Sequence, residues 1–188
     1  MEYKNLGNAG VKVSRLCLGT MMFGGATSEQ DSIEIIHRAM DDGINFIDSA
    51  NVYNDGEAES VLGKAVSGRR DRVVSATKVF GARGDGPNDQ GNSRIHIFNE
   101  VENSLRRLDT DYIDIYVLHR DDPDVEVGPI VEKLNELHEA GRIGAFGGSN
   151  WKPYRITEAN EYADKHGLKP FTGSSPNFSL AEQYDEPW

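Results

Sequence analysis

The chain has 188 residues, 37% apolar and 27% charged, a balance that fits one soluble globular domain or part of a larger one. Its net charge of −11 argues against nucleic acid as a partner, because phosphate recognition needs a basic face. No stretch approaches the roughly 20 apolar residues of a membrane span, and "MEYKNLG" has neither a basic n-region nor an apolar h-region.

"YKNLGNAGVKVS" predicts a hairpin turning at Asn8-Ala9-Gly10. Strands are predicted at Leu16–Leu18, Ile44–Ile47, Val73–Thr77, Ile113–Leu118, Ile143–Phe146 and Phe171–Gly173. Cys17, the single cysteine, has no intramolecular partner, which predicts a reducing cytoplasm, and it reads as a small buried strand residue. Ser28 with Asp31 forms a capping box for the first helix, which Gly43 closes. A helix from Glu57 puts Ala58, Val61, Leu62, Ala65 and Val66 on one face. The next uses Phe98, Val101, Leu105 and Leu108, and the one after it Ile130, Leu134 and Leu137. Pro129 and Pro153 suit first helical turns, and Gly141 and Gly167 suit left-handed C-caps.

Strands alternating with helices require parallel pairing with crossovers. The beat suits a (β/α)8 TIM barrel of about 250 residues, read here as a single domain over residues 1–188. Only about six strands and five helices fit, so the count predicts part of a longer barrel or a truncated relative, its first and sixth strands left as unpaired edges. A doubly wound sheet is the alternative. The polar stretch "FGARGDGPNDQGNSR" reads either as a flexible loop or as a lid, and it has no GxGxxG or Walker spacing.

In such a barrel, functional side chains come from the C-terminal ends of several strands. Asp48 ends the second strand, Lys78 the third, His119 the fourth, Ser149 and Asn150 the fifth, and Ser174, Ser175 and Asn177 the sixth. Tyr53 lies in the loop after the second. Each has a plainer reading: Asp48 as an Asx-turn, Lys78 as a surface residue, His119 as a satisfied imidazole and Tyr53 as rim packing. Together they place an acid, an ammonium, a phenol and an imidazole at one mouth. A neighbouring ammonium favours the phenolate and a carboxylate anchors the ammonium, so Tyr53, Lys78 and Asp48 make a candidate proton relay. His119 is suited to orienting a carbonyl oxygen. The other histidines lie on predicted helices without HExxH spacing, so no metal site is expected. A reducing equivalent has to come from a cofactor.

"FIDSANVYNDGEAESVLGKAV", "ATKV", "DYIDIYVLHRDD" and "FGGSNW", with "NLGNAGVKVSRLCLGTMMFG" before them, resemble the aldo-keto reductase family along essentially the whole chain. The likeness is to its bacterial and channel-subunit-like branches. The resemblance implies an NADPH-dependent reductase acting on a small-molecule carbonyl substrate. It assigns Tyr53 as general acid, Lys78 as its partner, Asp48 as the anchor of Lys78 and His119 as the carbonyl-orienting group. It further implies cofactor binding through Ser149, Asn150, Asn177, Thr20 and Met21. Asn177 stands where the family has glutamine, one methylene longer, and Gly148 stands where it has valine. The family's nicotinamide-stacking aromatic and its phosphate-binding cations come from later strands and do not map onto this chain. If these residues were the whole protein, NADPH binding would be expected to be weak or absent. The alternative is a non-catalytic or regulatory protein of the same fold.

Overall fold

Each strand too short and apolar to stand alone must pair with neighbours and cover a face, and the crossover helices do both. A computed structural model describes residues 1–177. It opens with β1 (Tyr3–Asn5) and β2 (Lys12–Ser14), an antiparallel hairpin in which Lys4 faces Val13. Then come β3 (Cys17–Gly19), α1 (Glu29–Asp41), β4 (Phe46–Asp48), α2 (Glu57–Val66) and β5 (Val74–Val79). The remainder is α3 (Arg94–Leu108), β6 (Ile113–Leu118), α4 (Val127–Glu139), β7 (Ile143–Ser149), α5 (Pro153–His166) and β8 (Gly173–Ser175).

β3 to β8 form one parallel sheet in strict chain order. A doubly wound sheet reverses its order at a switch point, and this one does not. The sheet curls into an incomplete (β/α) barrel, with β3 and β8 at its two ends among the described residues. The hairpin lies across the N-terminal end of the barrel, where Leu6 and Ala9 pack against the inner residues Ala76, Ile115, Val117 and Ala145. The larger core lies outside the sheet, where Ile47, Val79, Tyr116 and Phe146 meet helix residues such as Ile36, Leu62, Val101 and Leu134.

The helix signals act as expected. Ser28 Oγ accepts the Asp31 N–H at 3.1 Å, Pro153 opens α5, and Gly141 and Gly167 are left-handed just beyond their helices. Three expectations need correction. Cys17 is exposed, because it lies on the concave face of an end strand that nothing covers among the described residues. Phe98 is also exposed and carries the Lys133 ammonium over its ring, while Ile97 takes the core position on α3. The expected strand ends fall short: β5 runs to Val79, β7 to Ser149 and β8 to Ser175.

Gly63 marks the tightest helix contact. A Cβ there would sit 2.6 Å from the Leu108 carbonyl oxygen. Alanine in a helix interior normally gains about 1 kcal/mol over glycine, but the obstacle here is backbone and cannot rotate away. Gly63→Ala is therefore expected to destabilise the fold by about 1–3 kcal/mol in urea titration. A neutral or stabilising result would show that α2 and α3 can separate at no cost.

Candidate active site

The β4–β5 register sets Asp48 opposite Ala76. Lys78 lies one pleat further along the same face of β5, so both polar ends reach the mouth of the barrel. The Lys78 ammonium donates to Asp48 Oδ2 at 2.5 Å, to the Ser49 carbonyl at 2.7 Å and to Tyr53 Oη at 3.3 Å. An ammonium has three donors, and each has an acceptor. This matters because the Lys78 side chain is only 6% exposed, and a buried charge without partners is costly.

Tyr53 opens a short 3-10 turn, Tyr53–Gly56, and its N–H donates to the Ala50 carbonyl. Its ring meets that of His119 edge to face, with centroids 5.8 Å apart. His119 follows the last residue of β6, and its N–H extends the sheet by donating to the Val79 carbonyl. Burial, reinforced by the positive charges of Lys78 and Arg120, lowers the His119 pKa to about 4. The imidazole is thus neutral at physiological pH and able to donate one hydrogen bond.

The remaining expected residues gather on either side. Ser149 ends β7, and its hydroxyl donates to the Ser175 carbonyl. Asn150 is left-handed, donates to the His119 carbonyl at 3.4 Å and accepts the Asn177 N–H at 3.1 Å. Ser174 and Ser175 are in exposed β8. Hydroxyl, amide and backbone N–H form an uncharged donor and acceptor set, which fits a carboxamide and offers no counter-charge to a phosphate. On the other side, Thr20 is fully buried, donates its N–H to the Asp48 carbonyl and has no partner for its hydroxyl among the described residues. Met21 is exposed, and its carbonyl accepts from the Asn54 side chain. Below the mouth, the concave face is a trough of about 510 Å³ lined by Phe46, Ala76, Ile115, Val117 and Ala145.

Behind β5 lies a charged cluster that the sequence reading misses. Thr77 faces away from Lys78 and donates to Glu59, which is fully buried and accepts from Arg107 at 2.6 Å. Arg107 also pairs with Glu100 at 3.5 Å. Glu100 accepts from Asn51 at 2.8 Å, and the Asn51 N–H donates to the Lys78 carbonyl. Burial raises the Glu100 pKa, but bonds from Asn51 and Asn103 with the Arg107 charge outweigh it and hold the carboxyl low. The available signal is polar residues four apart on α3: His96, Glu100 and Ser104, all buried.

The sequence model of the Aldo/keto reductase family matches residues 15–187. The chain belongs to the aldo/keto reductase family. It is 41% identical to the aldo-keto reductase YhdN of Bacillus subtilis, over 90% of this chain and 53% of that protein. It is 39% identical to an uncharacterized oxidoreductase, YrpG, of the same organism, over 99% of this chain and 60% of the relative. A probable voltage-gated potassium channel subunit beta of Arabidopsis thaliana is 38% identical, over 96% and 56% respectively. The chain thus spans between half and three fifths of the length of these aldo/keto reductase relatives. No helix among the described residues is long and apolar enough to cross a membrane.

The His119 environment sets an acid sensitivity. Its pKa falls from about 6.5 unfolded to about 4 folded, so between those values the unfolded chain binds more protons. Stability therefore drops as pH falls from about 6.5 to about 4, by at most about 1.4 kcal/mol per pH unit for this one group. His96, lowered chiefly by burial, adds in the same direction. His119→Gln is expected to flatten the slope measured by urea titration across this window, and an unchanged slope would refute the assignment.

Proposed function

We propose that the protein reduces an aldehyde or ketone to an alcohol, with NADPH as reductant and Tyr53 as proton donor. The observation that carries this reading is the Lys78 ammonium held between Asp48 at 2.5 Å and the Tyr53 hydroxyl at 3.3 Å. NADPH, when bound, supplies the hydride. Ser149, Asn150 and Asn177 are the groups to hold its carboxamide, with Thr20 and Met21 on the opposite side. His119, neutral because of burial and the nearby cations, donates a hydrogen bond to the substrate oxygen without competing as an acid. Tyr53 delivers its proton to that oxygen. The negative charge left on the phenol then faces an ammonium already in place, which needs no reorganisation. Asp48 keeps Lys78 in that position. The single cysteine, left as a thiol, suits the cytoplasm as the site of action.

One observation favours a second reading, a non-catalytic binding role: the Arabidopsis relative is named as a channel subunit. The two separate on turnover. In the full-length polypeptide carrying this sequence, Tyr53→Phe is expected to reduce NADPH-dependent turnover of a panel of aldehydes and ketones by about 10²–10⁴-fold. The assay follows nicotinamide absorbance. Equal turnover in both proteins would remove Tyr53 from the mechanism, and silence in both across the panel would favour the binding role.

A further inference from the structure

The turn that follows Tyr53 is left-handed at three consecutive residues: Asn54 at φ 47°, Asp55 at φ 58° and Gly56 at φ 94°. Left-handed backbone is unfavourable for any residue with a Cβ, and it persists only where surroundings over-determine it. Three separate elements supply those surroundings. The Asn54 amide donates to the Met21 and Phe23 carbonyls at 2.9 and 2.8 Å, tying the turn to the segment after β3. Gly56 lies against Arg107 of α3, where a Cβ would come within 2.7 Å of the arginine Cδ. Asp55 is held by Arg83, from the polar loop after β5. Its guanidinium donates to Asp55 Oδ1 at 2.6 Å and to the Asp55 carbonyl at 3.0 Å.

The Arg83 contact is unlike an ordinary surface pair. The Asp55 side chain is 93% exposed and contributes nothing to a core, but the Arg83 side chain is only 17% exposed. Its fork grips the side chain and the backbone of one residue, while Glu100 lies 3.9 Å behind it. Arg83 is placed in turn by its loop, whose N–H at this residue donates to the Asp89 carbonyl and which is closed by Gly91 N–H to the Phe80 carbonyl. An arginine from one βα loop thus fixes the backbone two residues after a phenol in another.

The geometry points to Arg83 as a positioning residue for Tyr53, acting by holding Asp55 in its left-handed conformation. This rests on the proton-donor reading of Tyr53, but the conformational part can be measured without it. The loop that reads from sequence as either a flexible segment or a lid thereby becomes the clamp on the tyrosine turn.

The test compares Arg83→Met with two double variants, Arg83→Met/Asp55→Ala and Arg83→Met/Asp55→Gly. Both doubles lack the ion pair and the exposed carboxylate, and they differ by one methyl group. Only glycine adopts the left-handed conformation without strain. If Arg83 acts through that backbone conformation, Arg83→Met and the alanine double lose on the order of 10–100-fold in kcat with little change in KM. The glycine double recovers most of it. A role confined to charge or to general loop packing predicts that the two doubles behave alike. Carbon-13 labelling of the tyrosine rings gives a readout independent of turnover, with the Tyr53 signal assigned by its loss in Tyr53→Phe. That signal is expected to shift or broaden in Arg83→Met and in the alanine double, and to return in the glycine double. A Tyr53 signal unmoved in Arg83→Met, or doubles that behave alike, overturns the proposal. Should the unsubstituted protein reduce no carbonyl compound, the proposed function fails while the ring signals still decide whether Arg83 positions Tyr53.

Discussion

The site depends on one buried ammonium. Lys78 is almost completely enclosed, so its charge must be neutralised and each of its donors accepted within the protein. That requirement constrains the strands around it. β4 must end on an acid at the height where β5 presents Lys78, and the backbone after β4 must turn its Ser49 carbonyl inward. The same turn must bring a hydroxyl within reach of the third donor. Parallel register and the pleat repeat supply the first condition, and the segment from Ser49 to Tyr53 supplies the others.

The opposite face of β5 carries the complementary constraint. Thr77, one residue before Lys78, points outward into the Glu59–Arg107–Glu100 cluster between α2 and α3. Removing one partner from a buried charge pair costs about 3–5 kcal/mol, because the other charge is left uncompensated, whereas replacing the whole set by apolar groups is often neutral. The value of such a cluster is therefore in position more than in stability. Asn51 shows this: its side chain is bound to Glu100 and its backbone to Lys78, so it couples the helix layer to β5 two residues before Tyr53. β5 is held from both sides at the height of the site.

Much of this is legible in the sequence, and the misses share a physical cause. Apolar runs locate β5, β6 and β7 because their buried faces are continuous, whereas the exposed β8 shares only Gly173 with its expected span. Asp48, Lys78 and His119 are visible as polar groups closing apolar runs, with Tyr53 in the loop after the second. The same polarity makes the strands look shorter than they are: Lys78 is inside β5 and Ser149 inside β7, since sheet pairing continues where hydrophobicity stops. Helical periodicity gives α3 its buried side to within one residue, choosing Phe98 where Ile97 packs, because a large ring beside a cation is satisfied at the surface. Cys17 reads as buried from its strand alone, but exposure depends on what lies over the concave face. Glu59 is invisible for a different reason. A charge on the core face of a helix can only be recognised with its partner, and Arg107 is far from Glu59 in sequence. The left-handed turn is nearer to hand: Asn54-Asp55-Gly56 is a turn-forming triplet, but nothing local reveals that Arg83 holds it.

The electrostatics of the mouth also explain a division of labour between the two aromatic groups that touch there. Tyr53 and His119 are edge to face, with ring centroids 5.8 Å apart, and the Lys78 ammonium lies 4.9 Å from the centre of the phenol ring. A protonated imidazole beside Lys78 would set two cations together in a partly buried site, and burial with that repulsion is what pushes His119 down to about 4. The histidine is thereby left as a neutral hydrogen-bond donor. The same ammonium donates a hydrogen bond to the Tyr53 hydroxyl. One buried charge, anchored by Asp48, therefore bears on both groups: it helps keep the histidine neutral, and it sets a hydrogen-bonding cation 3.3 Å from the tyrosine hydroxyl.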